Sequence, residues 1–167
     1  MDPAIPHLDV ELPGVDQVAV VVEDLTDGMD RYRAILGVEP WTVHRFEPPN
    51  LTETTYRGEE TEYGMLLALG QAGDTTIELI EPTTGPNLYE DHLEAHGEGL
   101  HHVACFAFDD PESVVEQFED AGYPVLQSGN FADTEYWYFD TADALNGVIF
   151  ETAANTGTLP EPDRTVP

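Results

Sequence analysis

Gly97-Glu98-Gly99-Leu100-His101-His102-Val103-Ala104-Cys105-Phe106-Ala107-Phe108-Asp109-Asp110 opens with two adjacent histidines and continues as an apolar run, the pattern of a buried strand. Neighbouring side chains on a strand point to opposite faces, so only one of His101 and His102 is expected to look into a given cavity. If that residue holds a metal ion, its partners must come from other strands. The stretch has a counterpart earlier in the chain. Asp16-Gln17-Val18-Ala19 lies over His101-His102-Val103-Ala104 at an offset of 85 positions, which also lays Asp24 over Asp109 and Gly37 over Gly122. Such an internal repeat takes precedence over any local reading.

Each half then reads as strand, helix and three strands. In the first, Val15 to Val22 is a β-branched strand, and Glu23 to Asp27 starts a helix that keeps apolar spacing to Leu36 and stops at Gly37. Val38 to Phe46 is a strand. Residues 47–62 are polar and rich in breakers, and are expected as a long loop over a cleft. Tyr63 to Leu69 and Thr75 to Glu81 form a hairpin. In the second half, the strand ends at Phe108. Asp109-Asp110-Pro111-Glu112 caps a helix ending at Gly122, and strands follow at Pro124–Gln127, Tyr136–Asp140 and Gly147–Thr152. The expectation is an α+β fold of two tandem βαβββ modules, 14–85 and 99–154, whose sheets close around a shared cleft. Residues 1–13 are a flexible arm, 86–98 a linker with a short helix near Tyr89–His96, and 155–167 a mobile acidic tail.

Composition narrows the function. An apolar fraction of 41% and an aromatic fraction of 10% suit a globular domain. No apolar run reaches the roughly 20 residues of a membrane span, and the acidic start lacks the features of a secretory signal. There are 34 acidic residues against five basic ones, all arginine, for a net charge of -29. Self-repulsion of that size destabilises a small domain in dilute buffer, whereas at molar salt the screening length falls to about 3 Å. This points to a high-salt cytoplasm, as in a halophile, and argues against nucleic acid as partner; with no spanning run, no membrane partner is expected either. The single Cys105 sits in the apolar run and reads as a buried structural thiol.

The repeat selects the histidine. His102, not His101, is equivalent to Gln17, so these two should face matching sides of one cleft; His101 falls on the outer face or behind the site. The closing strands add Glu78 in Ile77-Glu78-Leu79 and Glu151 in Phe150-Glu151-Thr152, carboxylates among apolar neighbours that are costly to bury unpaired. Gln17, Glu78, His102 and Glu151 thus form a candidate metal site. One nitrogen and three oxygens suit a divalent ion such as Co, Mn, Ni, Zn or Mg. His44, His92 and His96 lie in or near polar segments and are left outside it.

Leu100-His101-His102-Val103 and Gly147-Val148-Ile149-Phe150-Glu151, within paired modules from Val15 to Thr152, resemble the vicinal-oxygen-chelate superfamily, which includes glyoxalase I, methylmalonyl-CoA epimerase and extradiol dioxygenases. His96-Gly97-Glu98-Gly99-Leu100-His101-His102 and Ile77-Glu78-Leu79-Ile80-Glu81-Pro82 are most similar to the epimerase-like members. The resemblance implies a U-shaped, eight-stranded, barrel-like sheet with a metal at its centre, held at the positions of Gln17, Glu78, His102 and Glu151, and a homodimer. It has departures. Epimerases usually carry histidine where Gln17 stands, and a second acid-base carboxylate on the strand occupied here by Tyr63-Gly64-Met65-Leu66-Leu67-Ala68. The Gln/Glu/His/Glu set looks like that of glyoxalase I instead. The expected activity is a metal-dependent isomerase or epimerase abstracting a proton beside a carbonyl, with Glu151 as base and Glu78 as second acid-base group. The substrate would be an acyl-CoA, as for methylmalonyl-CoA epimerase. Alternatives are a glyoxalase I-type lyase acting on a thiol adduct and a non-catalytic binding protein of the resistance type. Coenzyme A phosphates would need Arg31, Arg33, Arg45 or Arg57 at the cleft mouth, and Trp41, Phe46, Tyr136 and Trp137 are candidates for its lining.

Overall fold

The computed structural model describes residues 4–167, so the first part of the expected N-terminal arm lies outside the described residues. In chain order the elements are β1 (Gln17–Val21), α1 (Leu25–Leu36), β2 (Trp41–Phe46), β3 (Leu51–Tyr56), β4 (Glu59–Glu60), β5 (Gly64–Ala72) and β6 (Thr75–Thr84). There follow α2 (Leu88–His96), β7 (Gly99–Ala104), α3 (Pro111–Asp120), β8 (Val125–Phe131), β9 (Thr134–Phe139), β10 (Ile149–Ala154) and β11 (Arg164–Val166). The helix limits follow local chemistry. Asp24 Oδ1 accepts from the Asp27 N–H at 2.9 Å to start α1, and Gly37, at φ 67°, ends it in the left-handed conformation that glycine adopts without strain. Asp110 caps α3 in the same way through the Ser113 N–H, with Pro111 in its first turn. No helix among the described residues is long and apolar enough to cross a membrane.

All strands among the described residues belong to one open sheet, ordered β11-β2-β5-β6-β1-β7-β10-β9-β8-β3-β4. The eight strands of the repeat are present, and three more extend the sheet. The 47–62 stretch differs from the loop its composition suggests. Turns occupy only Pro48–Asn50 and Arg57–Gly58 there; β3 pairs with β8 of the other half, and β4 pairs with β3. β3 carries Thr52, Glu53, Thr54 and Thr55 between Leu51 and Tyr56 near the sheet's margin, and that polar content is why these residues read as loop by composition alone. The 155–167 segment is likewise anchored, since β11 pairs antiparallel with β2.

Three apolar clusters fix the layers. One packs α1 against Trp41, Val43, Ala68 and Leu79; a second packs α3 against Trp137, Phe139 and Phe150. The third fills the concave side with Phe46, Met65, Leu67, Tyr89, Tyr136 and Tyr138. Both tryptophans expected in the cleft therefore face the helices, because on β2 and β9 they alternate with Phe46 and with Tyr136 and Tyr138. The two arms meet on the concave side, where the Phe46 and Phe131 rings stand 4.7 Å apart and the Tyr63 hydroxyl donates to the Ser128 carbonyl at 2.8 Å. Cys105 is fully buried, as its apolar setting suggests.

Candidate functional site

Strand register brings the four candidate ligands to one face. Ala19 pairs with Glu78 on β6 and with His102 on β7. Ala104 pairs with Gln17 on β1 and with Glu151 on β10. Directly paired residues, and residues two apart on one strand, share a face. Gln17, Glu78, His102 and Glu151 therefore surround two buried alanines whose small side chains leave space above them. His102 is fully buried, and Glu78 and Glu151 are nearly so.

His102 Nε2 lies 2.9 Å from Glu151 Oε2 and 3.3 Å from Glu78 Oε2. These contacts are close but misdirected: none of the three atoms completes a hydrogen bond, although all are buried. Buried polar atoms left this way are costly unless something else satisfies them. Neighbouring donor atoms around an ion with bonds of about 2.1 Å at right angles lie about 3.0 Å apart, and the two observed separations match such edges. The set is not a complete cage, since among the described residues no three His, Cys, Asp or Glu groups assemble into one. It is two edges meeting at His102 Nε2, which lies behind the lining, with Gln17, Glu78 and Glu151 lining the adjacent cavity. The donor chemistry and the three unsatisfied atoms fit a divalent ion.

Burial opposes a charge on His102, but the adjoining Glu151 and Glu78 carboxylates outweigh it and raise its pKa to about 9. Burial also lifts Glu151 above the usual carboxylate range, with His102 pulling in the other direction.

His101 departs from simple alternation. The β1–β7 register passes from Ala19↔His102 to Val20↔Leu100, leaving His101 as the extra residue of a bulge. Its ring is buried, not on the outer face, and its Nδ1 lies 2.8 Å from His102 Nδ1. Burial, with His102 and His92 adding to it, keeps His101 neutral. It can therefore accept the Nδ1–H of His102, which leaves His102 Nε2 turned toward the carboxylates. The tyrosines Tyr89 and Tyr138 pack on this pair, with the Tyr138 ring 4.7 Å from His102 and Tyr89 5.2 Å from His101. His92, on α2, reaches the back of His101 at 5.4 Å. His44 is also buried, on β2, stacked on Phe46. Polar neighbours in sequence concealed its place, and its alternation with Phe46 two residues on was the available signal.

The cavity beside these groups measures about 230 Å³. Phe46 and Tyr136 line it as expected, together with Met65, Leu67 and Leu69 from β5. The four arginines expected at the mouth are not in its lining and pair with carboxylates: Arg31 with Glu98, Arg33 with Asp30, Arg45 with Glu47 and Arg57 with Asp91, while the fifth, Arg164 on β11, is exposed.

A family model described as the Glyoxalase/Bleomycin resistance protein/Dioxygenase superfamily matches residues 16–139. No curated protein matches the chain in sequence. Among solved structures, a hypothetical protein from Bacillus halodurans C-125 superposes with a TM-score of 0.63 at 16% identity, covering 89% of this chain and 98% of its own. Methylmalonyl-CoA epimerase from Mycobacterium tuberculosis gives 0.61 at 20% identity, over 92% of this chain and 90% of that one. A Streptomyces coelicolor methylmalonyl-CoA epimerase variant in complex with 2-nitronate-propionyl-CoA gives 0.61 at 22% identity, over 90% and 100%. At these identities the likeness is one of fold.

Proposed function

The chain belongs to the Glyoxalase/Bleomycin resistance protein/Dioxygenase superfamily, and from that premise we propose that it is a metal-dependent isomerase that removes a proton from a carbon beside a carbonyl. The observation that carries this reading is the pair of buried carboxylates meeting at one histidine nitrogen with no hydrogen bond to satisfy them. Gln17, Glu78, His102 and Glu151 are the proposed ligands. A divalent ion there, when bound, supplies positive charge for a carbonyl oxygen as negative charge develops on it.

The chain's own groups do the rest. Glu151 is the proposed base. Its buried carboxylate is a stronger proton acceptor than one in water, and it faces the cavity. It takes the proton and returns it to the substrate, with Glu78 as the second acid-base group. His101 keeps His102 in the orientation the site requires. Met65, Leu67 and Leu69 exclude water from the reacting carbon.

Methylmalonyl-CoA epimerase is the specific form suggested by the structural relatives so described. A glyoxalase I-type reaction on a thiol adduct is favoured by the site itself. Epimerisation needs proton delivery from both faces of the carbon, whereas Glu78 and Glu151 both converge on one atom of His102, and β5 turns only apolar side chains to the cavity. The test is metal analysis followed by deuterium exchange in molar KCl, using methylmalonyl-CoA and the hemithioacetal of methylglyoxal. Exchange of one substrate, lost in Glu151→Gln, supports the reading and chooses its form. No exchange of either with metal bound sinks it, and ligand binding that survives chelation points to a non-catalytic binding protein. The charge of -29 further supports a high-salt setting; circular dichroism unchanged after dialysis into low salt would contradict it.

A further inference from the structure

The chain does not leave the molecule after β10. Residues 155–163 run from β10, in the second half of the sheet, to β11, which is joined to β2 in the first. The landing is pinned at Asp163, whose N–H donates to the Val43 carbonyl at 2.9 Å and whose Oδ2 accepts from the Arg45 N–H at 2.6 Å. At the departing end, the Thr134 hydroxyl donates to the Asn155 carbonyl at 2.9 Å. Because β10 and β2 belong to opposite arms, the segment crosses the concave side. Thr156 and Leu159 become part of the cavity wall. Leu159 is still 49% exposed, so it stands half in water and half against the apolar lining, as a cover does.

Size and charge then bear on what the cover admits. A cavity of about 230 Å³ has room for roughly eight water-sized groups. Its charged lining residues are the carboxylates Glu78 and Glu151. An anionic carrier with phosphate groups is held by cationic side chains at a mouth, and here no arginine lines the cavity: Arg31, Arg33, Arg45 and Arg57 are paired with carboxylates, and Arg164 shares with Val43 the face that packs on α1.

We infer that the cavity takes a compact, uncharged carbonyl compound enclosed whole beneath the 155–163 strap, and that Leu159 is a specificity-determining residue which excludes substrates tethered to a bulky anionic carrier. The carbonyl rests on the proposed function; the enclosure rests on the strap alone.

Two probes with one acyl group and different carriers test it: the propionyl thioester of N-acetylcysteamine and propionyl-CoA, titrated by calorimetry in molar KCl, where long-range charge effects are screened. The native chain should bind the compact thioester at least about tenfold more tightly. Leu159→Gly, at a half-exposed position where folding is not at stake, should reduce that preference to within about threefold. Equal or tighter binding of propionyl-CoA by the native chain overturns the inference. So does a preference that survives in Leu159→Gly, or binding of neither probe. Selective binding of the compact thioester without deuterium exchange contradicts the proposed isomerase chemistry and leaves the inference standing.

Discussion

β1 and β7 run antiparallel at the centre of the sheet, and each places a polar residue two positions before a buried alanine: Gln17 before Ala19, His102 before Ala104. Each alanine pairs with a carboxylate on a parallel neighbour, Ala19 with Glu78 and Ala104 with Glu151. The two strands are thus copies related by a local two-fold arrangement. They differ in their pairing, where one residue of β7 is left over. β7 bulges at His101, which turns a second imidazole into the core against His102; Gln17 lies on an unbulged stretch where its pairing with β7 is regular. The repeat builds the frame twice, and the irregularity gives only one copy a buried, oriented, titratable ring. Both carboxylates accordingly close on His102.

The strongest way to break this comparison is to make the two copies alike. His102→Gln puts on β7 the residue that β1 already has. It should abolish exchange and weaken divalent-ion binding by more than about a hundredfold, because a first ligand matters more than the 10–100-fold typical of its supporting groups. Ion binding retained within tenfold, read by competition with a chelating dye, would mean that the halves are functionally equivalent. Next in size is Glu151→Gln, with an expected fall in exchange of about 10² to 10⁴ for loss of a positioned base. Glu78→Gln should cost less, and the reverse order would transfer the base to the first half.

Much of this asymmetry was legible in the residues, though not its cause. The 85-position register distinguishes His102 from His101, and the four candidate ligands do share one face. Strict alternation, however, puts His101 on the far side. A bulge has no propensity signature in Leu100-His101-His102-Val103, since it is set by pairing with a strand some 80 residues away. The strand β3 was hidden for a related reason: Thr52, Glu53, Thr54 and Thr55 form a strand because β8 is there to receive it, not because they are apolar. The strap escaped too, as Asn155–Pro160 has tail-like composition and its anchor is only the three-residue β11.

Protonation offers a graded test. In the metal-free protein His102 holds its proton up to about 9, against 6.5 ordinarily. A folded pKa above the unfolded one means that this proton's stabilisation is complete below pH 6.5 and is lost as pH rises through about 9. Thermal melts of chelated protein should therefore fall across that window. His102→Gln should remove this contribution, since glutamine does not titrate and the corresponding Gln17 has no such slope. Ion binding should displace the same proton, so at neutral pH uptake should release acid to an indicator dye. A melting temperature flat from pH 6.5 to about 9 would show that His102 is not held charged between the carboxylates.

His101→Phe keeps the ring volume and removes the acceptor for His102 Nδ1. The expected loss of ion affinity is about 10–100-fold, with the fold retained. His101→Asn, whose side-chain oxygen can accept the same proton, should recover part of it. If both variants bind like the native chain, the bulge is packing alone and the difference between β7 and β1 loses its chemical meaning.

Gln17→Ala should have the smallest effect. Gln17 contributes a neutral amide, which binds a divalent ion more weakly than a carboxylate or imidazole, and it stands outside the Glu78–His102–Glu151 contacts. Its loss should weaken ion binding by less than about tenfold, near 1.4 kcal/mol. Gln17→His sharpens the comparison from the other side. It gives β1 an imidazole with no bulged neighbour to orient it, so any gain in affinity should fall short of what His102 provides. A gain equal to the loss in His102→Gln would show that the ring alone suffices, and that the imidazole behind it contributes nothing to the site.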